Sequence, residues 1–171
     1  FNEHCENIGN RTLLYHGSPQ NCILSILKKD FYLDPSKIKD INVQIAGKMF
    51  GYGVYFADSS KSFGYTRAHQ TNNIGCYVVA EVALGNQLSK FDADYSINKK
   101  SLIKTGHHST KGEGRWQPSN STTIDGIKIP NHKLSEVHKN ASLRYNEHIV
   151  YDIDQILIKY LIILKNNGTY A

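Results

Sequence analysis

A strand-rich α+β domain with few helices is the fold class this sequence predicts, and three observations predict it. Segments such as "RTLLYHG", "IGCYVVAEVAL" and "ILIKYLIIL" are short runs rich in β-branched and aromatic residues, which suit a pleated, partly buried surface. Clear helical spacing appears only after Pro19, where Cys22, Ile23, Ile26 and Leu27 recur three or four residues apart. The chain has 171 residues and 40% hydrophobic content, enough for one domain with its own core.

Taken in order, Phe1 to Asn10 is polar and unpatterned, a lead-in to the fold. "RTLLYHGS" is a short strand ending at a glycine turn. Ser18 and Pro19 then read as N-cap and first turn of a helix that ends near Asp30. From Leu33 to Lys48, Pro35, Gly47 and several charges predict a long loop, read as a lid over a site. "MFGYGVYFAD" holds a short aromatic strand, and "SSKSFGYTRAHQ" a brief capped helix. Ile74 to Leu84 is mostly apolar and predicts a strand buried on both faces. Gly106 to Asn120 reads as a polar, glycine-rich loop. Two β segments close the chain, Tyr145 to Ile153 and Ile156 to Leu164.

Composition narrows the function classes. The longest apolar run, from Ile156, is interrupted by Lys159 and falls well short of a membrane span. Cys5, Cys22 and Cys76 match neither a disulfide framework nor a zinc pattern, and no metal is expected. The net charge of +5 suits an anionic ligand. It is scattered, without the basic and aromatic stripes of a nucleic-acid-binding module. "GYG" lacks the lysine and following helix of a phosphate loop. The chain does not begin with Met, which fits an excised domain or a processed product.

Glu147 is the first functional candidate. Along "YNEHIVYDI" it shares a strand face with Tyr145, Ile149, Tyr151 and Ile153. A carboxylate among apolar neighbours loses hydration, a cost accepted only with partners or a purpose.

The motifs "LLYHGS", "FGYGVYFADSSKSFGY", "EVALGN", "HSTKGEGR" and "LRYNEHIVYD" together, in this order, resemble the catalytic domain of the poly(ADP-ribose) polymerases, the diphtheria-toxin-like ADP-ribosyltransferases. The resemblance runs from about Arg11 to Leu164 and is nearest to the DNA-damage-responsive members. It implies the ADP-ribosyltransferase fold, with split antiparallel sheets and a few short helices. It also implies transfer of ADP-ribose from NAD+ to protein acceptors, this protein among them, with nicotinamide released and chains elongated. No membrane is involved. A nuclear setting follows from the resemblance, with DNA sensed only by domains outside this chain. The family's helical autoinhibitory subdomain would precede Phe1.

The His-Tyr-Glu signature of the family falls on His16, Tyr55 and Glu147. By resemblance Glu147 stabilises positive charge on the ribose and orients the attacking hydroxyl, assisted by Lys61. Gly17 offers backbone groups to the nicotinamide carboxamide, Ser62 adds a hydroxyl, Tyr65 stacks on the ring and Tyr55 covers the neighbouring side. His16 binds the adenosine ribose with Ser18 beside it. Phe56 and Ala57 complete the NAD+ site, and Met49 lies on the acceptor side. His148 stands where close relatives usually carry Tyr, and Tyr32 about where they place an Arg. Two other readings stay open from sequence: a mono-ADP-ribosyltransferase, and a sensor that binds NAD+ or ADP-ribose without turnover.

Overall fold

The computed structural model describes residues 2–34, 48–58 and 60–165. The lid expected between Leu33 and Lys48 falls almost wholly outside the described residues. The chain opens with a helix, α1 (Asn2–Ile8), not an unpatterned lead-in, and its Cys5 is buried. Then follow β1 (Arg11–Gly17), α2 (Gln20–Lys29), β2 (Val54–Phe56), two 3-10 turns (Ser60–Thr66 and Ala68–Gln70) and β3 (Ile74–Ala83). The second half holds β4 (Gln87–Lys90), α3 (Lys99–Lys104), β5 (Ser109–Gly112), β6 (Gly114–Ile124) and β7 (Ile127–Glu136). It closes with β8 (Leu143–Tyr145), β9 (Glu147–Val150) and β10 (Ile156–Lys165).

The strands form two sheets, one of six strands ordered β10-β3-β1-β7-β6-β8 and one of four ordered β2-β9-β5-β4. Most neighbours are antiparallel, but β1 with β7, β6 with β8 and β4 with β5 run parallel, so both sheets are mixed. Among the described residues the sheets meet at a bridge where Tyr15 and Ala57 exchange backbone hydrogen bonds, each 2.9 Å long.

Apolar burial explains the arrangement. Leu14 of β1, Val78, Ala80 and Val82 of β3, Ile23 and Ile26 of α2, and Val54, Phe56 and Val150 of the small sheet make one core. Ile149, on the opposite face of β9, enters a second core with Phe50, Ile97, Leu102, Leu143 and Tyr151. Both faces of β9 are therefore covered, and all four of its residues are buried.

Three expectations are corrected. Ser18 does not cap α2: Pro19 holds the N-cap position without a side-chain bond, and the Ser18 hydroxyl turns to His16. The supposed loop from Gly106 to Asn120 contains β5 and most of β6, because pairing with β9 and β7 satisfies a backbone whose polar side chains gave no strand signal. The segment from Tyr145 to Ile153 is not one strand. It breaks at Asn146, with β8 in the large sheet and β9 in the small one.

Burial of a charge inside β3 shows what a structural carboxylate looks like here. Glu81, fully buried, is paired with Arg11 of β1 and with Lys159 of β10 at 3.1 Å. Both cations reach solvent, so the acid carries the desolvation cost. Replacing Arg11 and Lys159 together by Met should strand it and cost about 3–5 kcal/mol, whereas Glu81→Leu should change stability by only about 1 kcal/mol. Urea denaturation of the variants distinguishes these outcomes.

Candidate active site

The site is built outward from the bridge between the sheets. His16 lies one residue beyond Tyr15 on β1, and its Nδ1 is 2.8 Å from the carbonyl oxygen of Tyr55. A carbonyl only accepts, so Nδ1 carries the proton. Nε2 is then the lone-pair nitrogen and accepts from the Ser18 hydroxyl at 2.9 Å. Phe31 and Phe56 pack edge-on against the ring, with centroids 5.0 and 5.8 Å away. Burial lowers the His16 pKa, opposed by the bond to Tyr55. The ring is held neutral, in one tautomer and one orientation.

Tyr55 occupies the middle of β2, opposite Ile149 of β9. Glu147 is two residues from Ile149, so its side chain leaves the same face of the sheet as the Tyr55 ring. The two interact electrically. Burial raises the Tyr55 pKa well above the ordinary phenol range, the Phe50 N–H opposes the rise, and the Glu147 carboxylate adds to it. The phenol thus stays protonated, donates to Gly51 O at 2.7 Å and accepts from Phe50 N–H at 3.0 Å. Tyr151 hydroxyl holds the same turn through Phe50 O at 2.7 Å. Gly51 is required there, with φ of +76° and Ile97 O only 2.0 Å from where a Cβ would stand. Met49, expected on the acceptor side, sits in this pinned turn and accepts from Asp94 N–H at 2.7 Å.

On the other side of His16, Gly17 ends β1 against the turn that carries Ser62 and Tyr65. A Cβ on Gly17 would lie 1.7 Å from Ser62 O, so glycine is demanded by the packing of that turn. Ser62 donates to Tyr15 O at 3.0 Å, which leaves its oxygen lone pairs free to accept from an N–H of a ligand. Tyr65 is 42% exposed and presents its ring to solvent. Phe56 and Ala57 are buried, Phe56 in the core behind His16 and Ala57 in the bridge itself. Lys61 lies within the Ser60–Thr66 turn, and its side chain falls outside the described residues. Glu147 is 9% exposed.

Sequence reading missed the polar residues behind Glu147. Asn146 accepts from Gly114 N–H at 2.9 Å and donates to Asp58 Oδ2 at 2.8 Å, all at buried positions. His148 lies between Gln87 and Asp58. The one signal available was the run of Asn and His around the acid, which an apolar strand does not need. Elsewhere, burial raises the pKa of all three free cysteines, so none is an activated nucleophile. Among the described residues no three His, Cys, Asp or Glu side chains gather as a metal site.

Two outcomes follow. The folded chain holds His16 neutral while the unfolded chain takes up a proton near pH 6.5, so the unfolded state binds more protons as pH falls through that value. His16 thus contributes a loss of stability on acidification below about pH 6.5, which thermal melts of the wild type and His16→Gln at several pH values will read as a smaller pH slope in the variant. Tyr55→Phe leaves Phe50 N–H and Gly51 C=O without their phenol partner, at a cost of about 1–3 kcal/mol in urea denaturation.

Comparison with known proteins shows the family. Residues 1–166 match the family model described as the poly(ADP-ribose) polymerase catalytic domain. Poly [ADP-ribose] polymerase 1 of Xenopus laevis is 40% identical over 166 residues, covering 95% of this chain and 16% of that protein. Its Gallus gallus counterpart is 38% identical over the same coverage. Poly [ADP-ribose] polymerase 2 of Homo sapiens is 36% identical over 169 residues, 95% of this chain and 28% of that protein. The chain thus spans about a sixth to a quarter of the length of these relatives. On the strength of the family match and these identities, the chain belongs to the poly(ADP-ribose) polymerase catalytic-domain family, a family of NAD+ ADP-ribosyltransferases.

Proposed function

We propose that this chain transfers ADP-ribose from NAD+ to protein acceptors, releases nicotinamide, and extends the product into poly(ADP-ribose). The observation that carries the reading is Glu147, a buried carboxylate on the same sheet face as Tyr55 and electrically coupled to it. Glu81 is buried too, but two cations hold it inside the large sheet. Glu147 stands at the start of β9, next to the corner between the sheets.

Cleavage of the bond between nicotinamide and ribose develops positive charge on the ribose. Glu147 stabilises that charge and orients the acceptor hydroxyl, roles worth about 10²- to 10⁴-fold. Gly17 and Ser62 bind the carboxamide: the Ser62 hydroxyl, while donating its hydrogen bond to Tyr15 O, accepts from the amide N–H through its oxygen lone pairs. Tyr65 supplies an exposed face for stacking on the ring. Neutral His16, with Ser18 bonded to its Nε2, receives the adenosine ribose. Phe56 and Ala57 support that end from behind, Lys61 assists Glu147, and Met49 lies where the acceptor enters. A nuclear setting, with protein acceptors and with DNA contacted only through segments outside this chain, completes the proposal. No described helix is long and apolar enough to cross a membrane.

The test is incubation of the wild type and Glu147→Gln with labelled NAD+, followed by denaturing gel and mass spectrometry of the products. Ladders from the wild type, with at least a 10²-fold slower reaction in the variant, are expected. Equal polymer from both would overturn the role of Glu147, and single units from the wild type would make the chain a mono-transferase.

A further inference from the structure

The geometry points to Asp58 as a positioning residue for Glu147, acting through the two residues that flank the glutamate in the chain. This inference rests on the catalytic reading of Glu147. Asp58 follows Ala57, whose backbone is tied to Tyr15 in the bridge between the sheets. Its Oδ2 accepts from Asn146 Nδ2 at 2.8 Å and lies 3.5 Å from His148 Nε2. Gln87 donates to His148 Nδ1 at 3.3 Å, which leaves the Nε2 proton to face Asp58.

Alternation along β9 sends His148 to the side opposite Glu147, and Asn146 reaches the same Asp58 oxygen as His148 does. One carboxylate oxygen therefore holds the strand from behind at both neighbours of the acid. Asn146 is also the corner at which the chain leaves the large sheet, and its Oδ1 is fixed by Gly114 N–H at 2.9 Å. Peptide rotation at that corner would swing the Glu147 side chain, and the bond to Asp58 opposes it.

Energetics argue that this is not merely packing. Asp58 is buried, and its Oδ1 has no hydrogen-bond partner among the described residues. A buried half-satisfied carboxylate is costly, and an apolar pair would serve stability better. Its role is directional: both contacts converge on the segment that aims Glu147.

The experiment measures nicotinamide release as a function of NAD+ concentration for the wild type, Asp58→Ala, Asp58→Asn and Glu147→Gln, with thermal melts to verify folding. Misplacement of a reacting group by about 1 Å can cost about 10²-fold, so Asp58→Ala should lose about 10- to 100-fold in kcat while KM for NAD+ changes less than about threefold. Asp58→Asn keeps an oxygen that accepts from Asn146 and His148, and should return kcat to within about fivefold of wild type. Should the alanine variant not fold, Asp58→Ser is read by the same criteria.

Wild-type kcat in Asp58→Ala, a loss that appears as a raised KM, or an Asp58→Asn variant as slow as Asp58→Ala would each overturn the inference. Loss in Glu147→Gln beside such a result overturns the inference alone. Full activity in Glu147→Gln overturns the catalytic reading, and the inference with it.

Discussion

Everything at the candidate site depends on the bridge between the two sheets. Tyr15 and Ala57 exchange both backbone hydrogen bonds, and the next residue, His16, donates from Nδ1 to the carbonyl of Tyr55. These few bonds fix where β2 lies against β1. Pairing of β2 with β9 then carries the register to Ile149 and so to Glu147. A His from one sheet, and a Tyr and a Glu from the other, thus owe their relative placement to backbone geometry rather than to long side chains. Backbone placement costs no side-chain entropy at the moment a ligand binds.

Burial on both sides of the small sheet supplies the rigidity this needs. Phe56 and Val150 face the first core and Ile149 the second, so neither face of β9 can relax into solvent. The same burial holds His16 neutral and keeps the Tyr55 phenol protonated, which turns both into hydrogen-bonding groups of defined direction. Two of the buried glutamates show the contrast. Glu81 is enclosed by Arg11 and Lys159 within the large sheet, whereas Glu147 stands beside the corner between the sheets and acts electrically on Tyr55.

Much of this was legible in the sequence, for physical reasons that differ by element. The strands at Arg11–Gly17, Ile74–Ala83 and Ile156–Lys165 carry apolar, β-branched runs, and α2 carries helical spacing. The hairpin of β6 and β7 is polar and exposed along much of its length, so pairing rather than hydrophobic pattern makes it a sheet. The helix α1 was hidden because only its buried face, with Cys5, is apolar. Alternation singled out Glu147 with Ile149 correctly as neighbours on one face, but it read through Asn146, where the chain changes sheets. Beyond its Asn and His, "RYNEH" does not mark that corner, since it is made by Gly114 and Asp58, 32 and 88 residues away in sequence.

The most direct test of the account is a crystal structure of this chain with a non-hydrolysable NAD+ analogue. The account predicts the carboxamide against Gly17 and Ser62, the ring on Tyr65, the adenosine ribose at His16 and Ser18, and the Glu147 carboxylate facing the nicotinamide ribose, with the bond from His16 to Tyr55 intact. An analogue bound away from the bridge between the sheets, or a Glu147 turned from the ribose, would contradict it.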